Sequence, residues 1–167
     1  TAKKIGAVNC VTISKKKKLK GYNTDYHGFK KSIKPLLKDH HKKALILGTG
    51  GASKAIAYAL RSLKIEYDFV SRTADEFQYK YEELDASIFE EYTIIINTTP
   101  VGTYPNVDDC PNLDYSLFTK KHIAYDLIYN PEETAFLRKA KAQGAVTKNG
   151  YEMLVLQAEK AWKIWNE

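Results

Sequence analysis

The sequence predicts an α/β fold, a parallel β-sheet flanked by helices. Three observations carry that expectation. Short apolar runs alternate along the chain with segments of helical periodicity. One such run, Ala44-Leu45-Ile46-Leu47, ends in a glycine-rich turn that opens directly into a helical pattern. Another, Thr93-Ile94-Ile95-Ile96-Asn97, reads as a buried strand.

In chain order, residues 5–13 and 19–23 read as the strands of a hairpin. Residues 25–39 read as a helix with Phe29, Ile33, Leu36 and Leu37 on one face and Asp25 placed to cap it. Pro35 inside that pattern predicts a kink or an early end. Residues 43–47 are the first strand of a new unit, 51–63 its helix and 66–71 the second strand. Residues 74–90 read as mostly helical or irregular, with Phe77, Tyr81 and Leu84 spaced for burial. Strands follow at 93–97 and 122–128, then a helix at 133–143, a short strand at 144–147 and a final helix at 150–166. No internal repeat or low-complexity linker interrupts this order.

Composition bounds the partners. At 167 residues and 44% hydrophobic, the chain can bury one good core, or one core and a small appendage. Mean hydropathy is −0.44 and no segment reads as a signal or a membrane span. Cys10 and Cys110 are far apart without metal-ligand spacing, so cytoplasmic thiols are expected, and no metal. The net charge of +6 gathers at Lys15, Lys16, Lys17, Lys18 and Lys20. These read as a solvated hairpin tip, because no nucleic-acid motif or basic helix accompanies them. His40-His41 read as part of a solvated linker, His27 as helix surface, and His122 opens a strand without a motif. The chain begins at Thr1 in what reads as the middle of an element, so a piece of a longer protein is expected.

The turn Gly48-Thr49-Gly50-Gly51-Ala52-Ser53 has the context of a dinucleotide site. Gly48 lets the chain turn sharply, Gly50 lets a pyrophosphate approach the backbone, and the following helix offers free N–H groups. Ser53 stands where Gly or Ala is usual. After the second strand an NAD site usually carries an acidic residue for the ribose. Here Ser71-Arg72-Thr73 stands instead, and a guanidinium favours a 2′-phosphate, hence NADP(H).

Taken together, the motifs resemble shikimate dehydrogenase. Ile5-Gly6-Ala7-Val8-Asn9-Cys10 resembles that family's G-A-V-N-T strand, and Gly21-Tyr22-Asn23-Thr24-Asp25-Tyr26-His27-Gly28-Phe29 its G-x-N-T-D-x-x-G-F segment. Gly48 to Lys54 resembles G-x-G-G-A-S-[RK], and Ser71-Arg72-Thr73 resembles N-R-T. Asn97-Thr98-Thr99-Pro100-Val101-Gly102 resembles N-x-T-P-x-G, and Asp126 to Pro131 resembles D-x-x-Y-x-P. Gly150 to Ala158 resembles G-x-x-M-L-x-x-Q-A. The family reduces 3-dehydroshikimate to shikimate with NADPH, on the route to chorismate and the aromatic amino acids.

The resemblance implies a Rossmann-like NADP-binding domain with remnants of a substrate domain. Residues 1–24 would end the substrate domain, 25–42 connect, 43–149 bind NADP, and 150–167 return to the substrate domain. Asn9, Asp25, Tyr129 and Gln157 would face the substrate, with Asp25 the acid/base group. Gly48, Thr49, Gly50, Gly51, Ala52 and Ser53 would hold the pyrophosphate. Ser71, Arg72 and Thr73 would hold the adenosine 2′-phosphate. Thr98, Thr99, Leu127 and Gly150 would lie toward the nicotinamide, with Met153 packed near it.

Three departures bear on activity. The family's N-V-T-x-P-x-K segment, with its catalytic lysine, is absent, so the chain alone is expected to bind NADP(H) without catalysis. Glu76 stands where a second cation often follows the N-R-T arginine, and Thr103 where Met often follows the glycine. The alternatives are a non-catalytic NADP(H)-binding or regulatory module, or action on quinate or a related cyclic hydroxy acid. Apolar faces carrying Ile5, Val8, Leu154, Ala158, Trp162 and Trp165 are expected to be uncovered, which would favour a homodimer.

Overall fold

The structure is a computed structural model that describes residues 1–167. A helical turn, α1 (Ala2–Ile5), precedes an antiparallel hairpin of β1 (Cys10–Ile13) and β2 (Leu19–Tyr22). Helix α2 (Asp25–Ile33) leads into β3 (Lys43–Leu47), α3 (Gly51–Ser62) and β4 (Glu66–Val70). There follow α4 (Ala86–Glu91), β5 (Ile94–Asn97), β6 (Ile123–Asp126), α5 (Ala135–Ala142), β7 (Val146–Lys148) and α6 (Tyr151–Trp165). Strands β3 to β7 form one parallel sheet in the order β4-β3-β5-β6-β7. The α/β fold read from the sequence is the one observed.

Side-chain alternation explains why the sheet sits between two helical layers. In β3, Ala44 and Ile46 enter a core with Phe29 and Ile33 of α2, Ile56 and Leu60 of α3, and Met153 of α6. Leu45 and Leu47 enter the opposite core with Phe89 of α4 and Phe136, Leu137 and Ala140 of α5. Both faces are dry, which the continuous apolar character of β3 and β5 requires. Each fully buried Leu or Ile contributes roughly 1.5–3 kcal/mol of transfer free energy.

The strand order also places the site. From β3 the chain moves outward to β4, then crosses back to β5 on the other side. The direction of winding reverses between β3 and β5, and ligands bind such sheets at the carboxyl ends of the strands flanking that reversal. The glycine turn follows β3 there.

Several elements differ from the sequence reading. The first strand starts at Cys10 rather than at residue 5: Ile5 closes a helical turn, and Gly6, at φ 76°, ends that turn in the left-handed region. Pairing of the hairpin begins only where the Asn9 N–H donates to the Tyr22 carbonyl at 3.0 Å. Helix α2 stops at Ile33, and Pro35 lies in a 3₁₀ turn over Lys34–Leu36, since proline cannot donate to a continuing helix. Residues 74–90 hold a 3₁₀ turn (Tyr81–Glu83) and the start of α4, capped by Asp85, whose side chain accepts from Ile88 N. Leu84 is buried there, but Phe77 is 79% exposed, so it is not a core residue. β6 ends at Asp126 rather than 128, because the Asp126 side chain accepts from Ile128 N and turns the chain.

His41 and His122 are buried, contrary to the linker reading of the first. His41 Nδ1 accepts from Lys38 N at 2.8 Å, and its Nε2 faces the Lys121 carbonyl at 3.0 Å. Of the faces expected to be uncovered, Ile5 is buried, whereas Val8, Trp162 and Trp165 are exposed. No helix is long and apolar enough to cross a membrane.

Candidate functional site

A cleft of about 810 Å³ runs across the carboxyl ends of β3, β4 and β5. Its lining includes Gly48, Thr49 and Gly50 from the glycine turn, Ser71, Arg72 and Thr73 after β4, and Thr98 and Thr99 after β5. A second cleft shares Thr98, Thr99 and Pro100 with it and adds Ala52, Leu127 and Tyr129. The two form one furrow over the winding reversal.

The glycines of the turn have different reasons for being glycine. Gly48 has φ +99°, and a Cβ there would lie 2.9 Å from Thr99 Cγ2 and 3.0 Å from Thr98 Oγ1. The fold itself demands it. Gly50 has φ −73°, open to any residue, and a Cβ would meet no atom within 4 Å. Gly51 likewise faces open space. Nothing in the chain forbids side chains at these two positions, so the clear backbone surface suits close approach by a ligand.

That surface is electropositive. Helix α3 begins at Gly51 with no side-chain cap and no acidic residue in its first turn, so its leading N–H groups are unclaimed by side chains. Ser53, buried at 1% exposure, donates its hydroxyl to the Gly50 carbonyl at 2.6 Å and braces the turn from behind. The residues present therefore fit a pyrophosphate bridging toward an anion held by Arg72. Ser71 and Thr73 flank that exposed guanidinium, and Ser71 Oγ accepts from Thr73 N at 3.2 Å.

A polar cluster forms where α2 meets α6. Asn9 Nδ2 donates to Asp25 Oδ1 at 2.8 Å and to Thr24 Oγ1 at 3.0 Å. Asn9 Oδ1 accepts from Thr24 N at 2.8 Å, and Thr24 Oγ1 donates to Gln157 Oε1 at 3.1 Å. Gly28 makes this meeting possible: a Cβ there would sit 2.5 Å from the Met153 carbonyl and 3.2 Å from Gln157 N. Asp25 is the first residue of α2, not its cap; Asn23 Oδ1 instead accepts from Tyr26 N at 3.3 Å. Burial raises the Asp25 carboxyl above its ordinary range, opposed by the Asn9 hydrogen bond.

The structure thus gathers Asn9, Asp25 and Gln157, and places Tyr129 in the second cleft with Ala52, Thr98, Thr99 and Leu127. Two expected cofactor residues are also packed against the protein itself. Met153 is buried in the core beneath α2 and lines neither cleft. Gly150 is glycine because a Cβ there would collide with the Leu127 carbonyl. The sequence reading missed Thr24, which lay inside a quoted motif, and Tyr81, Glu82, Cys110, Pro111 and Asn112, which wall the cleft without any local signature.

No protein-family model matches the chain. It is 41% identical, over 98% of its length, to the shikimate dehydrogenase (NADP(+)) of Caldanaerobacter subterraneus subsp. tengcongensis. The crystal structure of shikimate dehydrogenase from Aquifex aeolicus superposes with a TM-score of 0.86 at 38% identity, covering 99% of this chain and 63% of that one. The Thermus thermophilus enzyme, solved with NADP(H) and shikimate, gives 0.82 at 35% identity, covering 98% of this chain and 64% of that one. The chain spans about 64% of the length of the curated relatives it matches.

Proposed function

Because the chain belongs to the shikimate dehydrogenase family, we propose that it holds NADP(H) in the furrow and presents one wall of a site for shikimate and 3-dehydroshikimate. The single observation that carries the reading is the cleft joining Gly48-Thr49-Gly50 to Ser71-Arg72-Thr73. Open backbone at Gly50 and a guanidinium beyond it match a pyrophosphate and a 2′-phosphate. Residues 43–149 carry the nucleotide, while 1–24 bring Asn9 to Asp25 and 150–167 bring Gln157 to Thr24 beside it.

Bound NADPH would supply the hydride for the carbonyl carbon, which leaves the chain's own residues to handle the proton at the oxygen. Asp25 suits that work. Its Oδ1 is held by Asn9 at 2.8 Å, and its Oδ2 has no side-chain partner and is left for a substrate hydroxyl. Burial moves its proton affinity toward the working range of an acid/base group. Thr24 and Gln157 extend the polar wall with fixed donors and acceptors for a polyhydroxy acid.

Calorimetric titration with NADP and with NAD tests the reading, followed by a shikimate-oxidation assay at the NADPH absorbance band. Binding of NADP in preference to NAD supports it. Absence of binding by either nucleotide to the folded chain would defeat it.

A further inference from the structure

We infer that Asp126 is a positioning residue whose carboxylate clamps together the two loops that wall the nucleotide furrow. The inference rests on the nucleotide-binding reading above. Asp126 ends β6, is fully buried and forms no ion pair. Its Oδ1 accepts from Ile128 N at 3.0 Å and from Asn97 Nδ2 at 3.1 Å, and its Oδ2 accepts from Thr134 Oγ1 at 2.7 Å.

Asn97, also fully buried, passes the restraint on. Its Nδ2 faces the carboxylate, so its Oδ1 must face the other way. There it accepts from Thr99 N at 3.0 Å and from Thr99 Oγ1 at 2.6 Å. Thr99 lines both clefts, and Ile128 lines the one that holds Tyr129. One buried acid therefore fixes both walls, and the Thr134 it anchors caps α5 by accepting from Leu137 N.

The clamp depends on charge. An ionised carboxylate only accepts, which satisfies all three donors. A protonated one carries a hydrogen: on Oδ1 it displaces the Ile128 or Asn97 donor, and on Oδ2 it makes the Thr134 hydroxyl accept instead of donate, so the carboxyl grips its partners less firmly. Burial without a cation favours the neutral acid and pushes Asp126 up to about 6, so the clamp is closed at neutral pH and opens in mild acid. The nearby ionisable group that feels its charge is the Tyr115 phenol, which burial keeps neutral and which donates to the Pro111 carbonyl at 2.8 Å.

The test measures amide hydrogen exchange at Ile128 and Thr99, and NADP affinity, between about pH 5 and 8. It compares the wild-type chain with Asp126→Asn, the isostere of the protonated acid, and Thr134→Val. In the wild type, exchange corrected for intrinsic rate rises about tenfold as the acid is protonated, the equivalent of one charged hydrogen bond. NADP binding weakens over the same interval. Asp126→Asn shows the low-pH exchange at every pH, and serves as reference for the titration of the nucleotide's own 2′-phosphate. Thr134→Val removes a donor from the carboxylate and moves the inflection to higher pH. It carries the test should Asp126→Asn not fold.

Superimposable exchange profiles for wild type and Asp126→Asn overturn the inference, as does an inflection unmoved in Thr134→Val. A wild-type chain whose two amides respond as expected but which binds no NADP defeats the nucleotide reading and leaves the clamp standing.

Discussion

Replacing Gly50 and Gly48 separately by alanine should divide binding from folding. At Gly50 the backbone is extended at φ −73°, and the new methyl meets nothing within 4 Å. Alanine there reduces the freedom of the unfolded chain by about 0.4–1 kcal/mol, offset by its poorer fit at the N-cap of α3. The Tm should therefore stay within about 2 °C of the wild type. The same methyl stands where a pyrophosphate must approach the backbone. Losing one or two charge-assisted hydrogen bonds costs about 3 kcal/mol, roughly a hundredfold in NADP affinity.

Gly48→Ala should do the reverse first. Its φ of +99° and the 2.9 Å approach to Thr99 Cγ2 impose strain on the order of 2 kcal/mol before any ligand is added. Tm should fall by roughly 4–8 °C. Thermal unfolding without ligand and calorimetry with NADP read the two effects. A Gly50→Ala chain that binds NADP like the wild type would refute the backbone-approach argument, and an unstrained Gly48→Ala would refute the turn geometry.

Other outcomes follow from the same geometry. Arg72→Gln should weaken NADP about tenfold to a hundredfold while leaving NAD unchanged, because a bidentate guanidinium–phosphate pair is worth about 1.5–3 kcal/mol; equal losses for both nucleotides in calorimetry would place Arg72 elsewhere on the ligand. Gly28→Ala gains about 1 kcal/mol of helix propensity, but its methyl would sit 2.5 Å from the Met153 carbonyl. Forcing α2 and α6 apart costs about 1–3 kcal/mol, so denaturant titration should show a net loss. His41 and His122 each accept a backbone N–H at Nδ1 and face a carbonyl with Nε2, the bonding of neutral imidazole. Burial lowers both below the ordinary 6.5. Since the unfolded chain then binds more protons, their contribution is present above pH 6.5 and lost as pH falls below it. Asp126, raised to about 6, contributes the opposite slope between its ordinary 3.8 and 6. The double variant His41→Asn/His122→Asn should therefore reduce the acid-dependent loss, and His41 and His122 imidazole NMR signals titrating at 6.5 in the folded protein would contradict this account.

What the sequence by itself determined was set by local rules. The alternation of apolar runs with helical periods announced the layered sheet, because strand and helix burial repeat at fixed intervals. Gly48, Gly50 and the Ser71-Arg72-Thr73 segment announced an anion site, because turn chemistry and the residue ending the second strand are short-range signals. The register of polar partners was decided only by tertiary structure. Asp25 reads locally as a cap, but Asn9, sixteen residues away along the chain, claims its Oδ1. Nothing local to Met153 marks its neighbours, but Gly28 draws α6 so close to α2 that Met153 packs into the core beside Phe29 and Ile33. His41 reads as solvated beside Lys42 and Lys43, but Lys121 brings a carbonyl to it from 80 residues further on. Buried polar groups take whatever donors and acceptors the folded chain delivers. Those come from distant segments, whose meeting no local pattern encodes.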